Sequence, residues 1–154
     1  MPALTMMRLL SLLSALLLCL LPGVAEAAAI CTVAATTIAF ATINPFGSPI
    51  TSNGTITVAC AGGTNGATYT IALSTGSGSF ATRTMKSGAN SLNYNLYTTA
   101  ALSTIWGDGT GGTSTVSGTN TRTTKMYTVY GNLPTPQGVI PAVYTDTITV
   151  TVTY

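Results

Sequence analysis

Tyr144-Thr145-Asp146-Thr147-Ile148-Thr149-Val150-Thr151-Val152-Thr153-Tyr154 places Thr at every odd position and Ile148, Val150 and Val152 at successive even ones. A period of two is the period of a strand, because successive Cβ atoms point to opposite faces. The stretch therefore predicts one long strand over 144–154, with Ile148, Val150 and Val152 turned to a core and the threonines to solvent. An apolar row of this kind needs an opposing sheet, so the fold class follows from what the neighbouring segments offer.

Those segments read the same way. Upstream of the proline-held loop at Pro134, Pro136 and Pro141, the chain is extended from Thr121 through Tyr130. Leu92, Tyr94 and Leu96 alternate with polar neighbours, as do Tyr69, Ile71 and Leu73, and Arg83-Thr84-Met85-Lys86 reads as a short strand. Asn53-Gly54 reads as a turn that opens Thr55–Cys60, where Ile56, Val58 and Cys60 share one face. Ile30–Thr42 is a further extended run, ended by the turn residues Pro45-Phe46-Gly47-Ser48-Pro49. Ser74–Ser79 reads as a loop, and Trp106–Thr119 as a long flexible connection. No segment after residue 27 has a helical period, and short strands separated by Gly, Pro and Asn turns predict a β-sandwich.

The first residues predict export. Arg8 precedes an apolar run from Leu9 to Leu21, Pro22-Gly23 break it, and Ala25-Glu26-Ala27 presents small side chains for a signal peptidase. Residues 1–27 are thus expected to be a signal peptide and 28–154 one domain. Cys19 has Leu18 before it, where a lipoprotein signal requires a small residue. Removing the leader leaves Cys31 and Cys60, an even number in an oxidising compartment, which predicts a Cys31–Cys60 disulfide. Its loop of roughly 30 residues is worth about 3–4 kcal/mol on the chain-entropy estimate.

Composition argues against catalysis. The chain is 46% hydrophobic and 5% charged, with no His. After residue 27 there is no Glu, and Asp108 and Asp146 are the side-chain carboxylates, so triads, carboxylate pairs and most metal shells lack their parts. Neither a cofactor nor a metal is expected. Arg83, Lys86, Arg122 and Lys125 are scattered, which argues against nucleic acid, and all four read as solvated charges. Asp108 between Gly107 and Gly109 reads as a turn residue. Trp106 has two readings, as a surface contact in its loop or as a side chain folded back over the core.

The ordered motifs resemble one family. Cys31-x-Val33, Phe40, Gly54-Thr55-Ile56-Thr57-Val58-x-Cys60, Tyr69-x-Ile71-x-Leu73, Arg83-x-Met85, Leu92-x-Tyr94-x-Leu96-Tyr97, Trp106-Gly107-Asp108-Gly109, Tyr130-Gly131 and the terminal alternation are together similar to the spore coat protein U domain, which includes subunits of archaic chaperone-usher pili. The resemblance implies an incomplete immunoglobulin-like sandwich lacking its final strand. It implies a periplasmic chaperone, an outer-membrane usher and neighbouring subunits as partners, the gap being filled by a donor strand along Ile148, Val150 and Val152. A secreted spore-coat or matrix protein and a surface-binding module with Trp106 as its contact are the other functions weighed. Asn132 departs from the family's Arg after Tyr-Gly. Ala28-Ala29-Ile30 is short for the donor segment of polymerising subunits, which leads to the expectation of an acceptor at the end, or tip, of a fibre.

Intact-mass measurement of exported protein should give a chain beginning at Ala28 and two hydrogen atoms lighter than its reduced form. Two free thiols in the native protein would refute the pairing.

Overall fold

The computed structural model describes residues 29–40, 47–135 and 137–154. The expected leader, the Pro45-Phe46 part of the first turn and Pro136 lie outside the described residues. Among those described there are eight strands: β1 (Ile30–Ala35), β2 (Ile50–Ala61), β3 (Thr68–Leu73), β4 (Arg83–Ser87), β5 (Asn90–Tyr97), β6 (Val116–Thr119), β7 (Thr124–Leu133) and β8 (Val150–Thr153). No helix long and apolar enough to cross a membrane occurs among them.

The strands form an antiparallel five-stranded sheet, β1-β2-β7-β5-β4, facing a three-stranded sheet, β6-β3-β8. Alternation explains the interior. Ile56, Val58, Val129, Leu92 and Leu96 point from the first sheet, and Tyr69, Ile71 and Leu73 meet them from the second. Cys31 stands opposite Cys60 in the β1–β2 register. Their Cα atoms are 4.0 Å apart and the disulfide joins them, as the cysteine count predicts. The Tyr69 and Tyr127 hydroxyls are 2.7 Å apart across the sandwich, with the rings edge to face. Gly118 makes this pair possible, since a Cβ there would overlap both tyrosines.

Three expectations are corrected. The terminal strand is shorter than 144–154, because its backbone changes sheets. Thr145 exchanges hydrogen bonds with Lys86 of β4 in the first sheet, and four residues later the Thr149 carbonyl accepts from Ser74 N–H at the end of β3 in the second. Only Val150–Thr153 forms a ladder, against β3, while the predicted facing persists, with Ile148, Val150 and Val152 packed against the core. Asn53-Gly54 lies inside β2, paired with Tyr130 and Val129. Gly is required there by packing, since a Cβ would stand 2.6 Å from Ile38 Cγ1.

The Trp106–Thr119 connection is tied rather than flexible. Trp106 N–H donates to Leu96 O, Gly107 N–H to Ser114 O and Ser114 N–H to Ile105 O, and the segment ends in β6. Trp106 is 1% exposed, which removes it as a surface contact. Its indole Nε1 donates to Ile71 O at 2.9 Å, so a large apolar side chain with one satisfied donor closes the core between β3 and β5. Trp106→Phe should lower stability by about 2–4 kcal/mol through the empty volume and the unmade bond, read as a lower midpoint in denaturant. An unchanged midpoint would contradict this packing.

Candidate assembly groove

The two sheets leave part of their interior uncovered. Beyond β8 no further strand pairs its outer edge among the described residues. An apolar cavity of about 880 Å³ opens there, walled by residues 35–40 on one side and 139–148 with Val150 on the other. Ile56, Val129, Leu92, Leu96 and Leu133 form its floor.

The first wall is the continuation of β1. Thr36 N–H donates to Thr55 O at 3.0 Å and Thr55 N–H to the Thr36 hydroxyl at 2.8 Å, so the segment still follows β2. It then leans over the sheet, where the Ser52 hydroxyl holds Ala39 O at 2.7 Å. Phe40 reaches the Tyr94 ring edge to face, 6.1 Å between centroids. The disulfide is outside the cavity and fixes the strand from which this wall departs.

A polar seam holds the second wall. Asp146 Oδ1 accepts from Ser77 N–H at 3.0 Å and from the Ser77 hydroxyl at 2.9 Å, and Oδ2 accepts from the Tyr94 hydroxyl at 2.6 Å. Burial and the bond to Asp146 push the Tyr94 phenol above the usual tyrosine range, against the opposing influence of Arg83. Three residues on, the Ser74 hydroxyl accepts Thr149 N–H at 2.9 Å. Asp108 stands apart in its own turn, exposed, where the Thr110 hydroxyl and N–H bonds hold its carboxyl below the usual range.

Behind this seam lies Arg83, expected to be solvated and found fully buried. Its Nε and Nη2 both donate to Ser74 O, at 3.0 and 2.8 Å, Nη2 also donates to Trp106 O at 2.8 Å, and Nη1 to Asn95 Oδ1 at 2.6 Å. Burial pulls its pKa below the ordinary value, and the fields of Tyr94 and Asp146 partly offset that. The guanidinium fork gathers two loop carbonyls and one strand side chain, a geometry that a point charge on Lys does not reproduce. Since Arg83 holds Ser74 and Ser74 holds Thr149, the cation fixes the second wall through one intermediate.

Of the residues the sequence proposed for assembly, Ile148 and Val150 line the cavity, while Val152 packs against the core outside it. Reasoning from alternation missed Ile38 as a wall residue. It also missed the apolar run Val139-Ile140-Pro141-Ala142-Val143, in which Ile140 is 57% and Val143 82% exposed.

Residues 18–151 match the family model described as Spore Coat Protein U domain. The chain belongs to this family. No curated protein matches it. This spore coat protein U domain is similar in fold to a chain of the CsuC–CsuE chaperone–tip adhesion subunit pre-assembly complex from the archaic chaperone-usher Csu pili of Acinetobacter baumannii. The TM-score is 0.58 at 22% identity, over 82% of this chain and 40% of that one, so it spans less than half the length of that neighbour. The likeness agrees with the all-β, immunoglobulin-like sandwich expected from the sequence.

Arg83→Met should destabilise the domain by about 2–4 kcal/mol, since buried acceptors without donors cost about 1–3 kcal/mol each, and Arg83→Lys should recover only part of the loss. Equal denaturation midpoints for wild type and Arg83→Met would exclude this role.

Proposed function

We propose that this protein is a structural subunit of a cell-surface pilus or fimbria-like assembly, and that its sandwich is completed by an extended strand from another protein. The carrying observation is the apolar cavity beside the unpaired edge of β8. A strand laid there adds main-chain hydrogen bonds to β8 and lowers alternate side chains onto the floor, the physics of β-augmentation. Four or five such side chains, at about 1.5–3 kcal/mol each, supply roughly 6–15 kcal/mol gross. That is comparable with the net stability of a whole domain, so the acceptor depends on its donor for a folded life in solution.

Family membership and the fold likeness support the chaperone-usher setting. In that setting a periplasmic chaperone lends the first strand after export, and a neighbouring subunit replaces it at the outer-membrane usher. The Csu neighbour belongs to a complex of a chaperone with a tip adhesion subunit, which favours a terminal place for this chain over an internal one. The role is mechanical and non-catalytic.

Purified alone, the protein should aggregate or melt at low temperature. A synthetic alternating apolar peptide should raise its melting temperature by more than about ten degrees, since several kcal/mol of linkage are available, and a scrambled peptide of the same composition should not. A stable monomer indifferent to every such peptide would overturn the reading.

A further inference from the structure

The face of the five-stranded sheet turned away from the groove carries chemistry of its own. Val129 and Gly131 of β7 and Leu96 of β5 are buried on the inner side, so alternation puts Tyr130, Asn132 and Tyr97 on the outer one. The register then sets them in a row. Tyr97 stands opposite Tyr130, Tyr130 stands opposite Asn53 of β2, and Ile105 bridges to Tyr97 from the other flank. Residues directly opposite across an antiparallel ladder share a face. Two phenol rings therefore lie on neighbouring strands, about 4.8 Å apart, between an isoleucine and an amide.

Three features of this row are left over when packing has been accounted for. Tyr97 and Tyr130 are half-buried, yet neither hydroxyl makes a hydrogen bond among the described residues, whereas those of Tyr69, Tyr94, Tyr127 and Tyr144 all do. Asn132, two residues along β7 on the same face, has its Oδ1 enclosed without a partner, an arrangement that costs stability until a donor reaches it. The outward positions of β2 and β7 carry Thr, Ala, Met, Asn and Tyr and no charged side chain, since Lys125 falls in the inward set.

We propose that Tyr97 and Tyr130 form a binding site for an uncharged, extended polysaccharide strand. A pyranose ring presents an apolar C–H face and a rim of hydroxyls. The first stacks on a phenol ring, and the second bonds to the free phenol hydroxyls and to the amides of Asn53 and Asn132, each of which both donates and accepts. The spacing between neighbouring strands is close to the advance of one sugar along an extended chain, so successive sugars meet successive rings. Absence of charge along the two strands selects against acidic glycans, which would find no cation there to replace their hydration. A protein partner is a poorer fit, because a specific interface takes about 800 Å² from each side around an apolar centre, and this row is flanked by Thr and Asn. The site lies on the opposite side of the sheet from the groove, so it operates with the groove filled.

The test titrates the disulfide-bonded protein, held folded by the alternating peptide where it needs one, with cellohexaose, laminarihexaose and chitohexaose in a calorimeter, and with hexamannuronate as the acidic control. At least one neutral hexasaccharide should bind and hexamannuronate should not. Tyr97→Ala and Tyr130→Ala should each weaken binding by about three- to tenfold, and the double variant should lose it. Tyr97→Phe with Tyr130→Phe keeps the rings and their packing, so its affinity should fall about threefold through the lost hydroxyl bonds even where the alanine variants fold poorly. Binding by none of the neutral sugars, equal binding of hexamannuronate, or the same affinity in wild type and all variants would overturn the proposal. Concentration-dependent dimerisation that Tyr97→Ala abolishes would give the face to a second copy of the chain and overturn it too. None of these outcomes touches donor-strand completion, which the peptide-induced shift in melting temperature reads separately.

Discussion

Five strands face three, and the structure depends on that inequality. A β-sandwich is stable because each inner face is the other's solvent-excluding partner. Here the larger sheet offers more apolar floor than the smaller sheet covers. The chain responds by leaning its own residues 36–40 over one margin and by drawing the 144–149 segment across the other. Neither move closes the middle. Both margins are instead held in fixed positions, one on each side of the apolar opening.

Holding a margin in place without a ladder requires other chemistry, and the two margins use different means. The margin after β1 is anchored covalently by its disulfide and sterically by side chains nested over glycine. The terminal margin is held by polar groups, Asp146 against Ser77 and Tyr94, and Thr149 against Ser74. A buried guanidinium with neutral acceptors stands behind them. Such a cation is costly to desolvate and is tolerated only when its donors are nearly all used. Its value here lies in directionality, since one planar fork sets the relative positions of Ser74, Asn95 and Trp106.

The alternation of Ile56, Val58 and Cys60, of Tyr69, Ile71 and Leu73, and of Leu92, Tyr94 and Leu96 was readable as strand and as core face because period two reports both at once. The same signal could not say where the terminal segment changes sheets. An inward side chain points to a core shared by both sheets, and only the backbone partner distinguishes them. Gly54 was read as a turn because its reason for being Gly is Ile38, a contact made through space and invisible in its neighbours. Arg83 gave no sign of burial, since three of its four hydrogen bonds go to main-chain carbonyls of Ser74 and Trp106, which every residue type carries. Trp106 was legible as core or surface but not as which, because the deciding acceptor is the main chain of Ile71.

The bond between Cys31 and Cys60 acquires a mechanical meaning in any object that bears tension. A pull arriving from the amino-terminal side of Cys31 does not travel along β1. It passes through the sulfur bridge into the end of β2, a strand hydrogen-bonded on both flanks. Residues 32–59 lie inside the covalent loop and carry no load, so the edge strand and the wall that continues from it cannot be peeled away one hydrogen bond at a time. The force leaves Cys60 along the chain that leads to β3, and the β1–β2 ladder is outside its path.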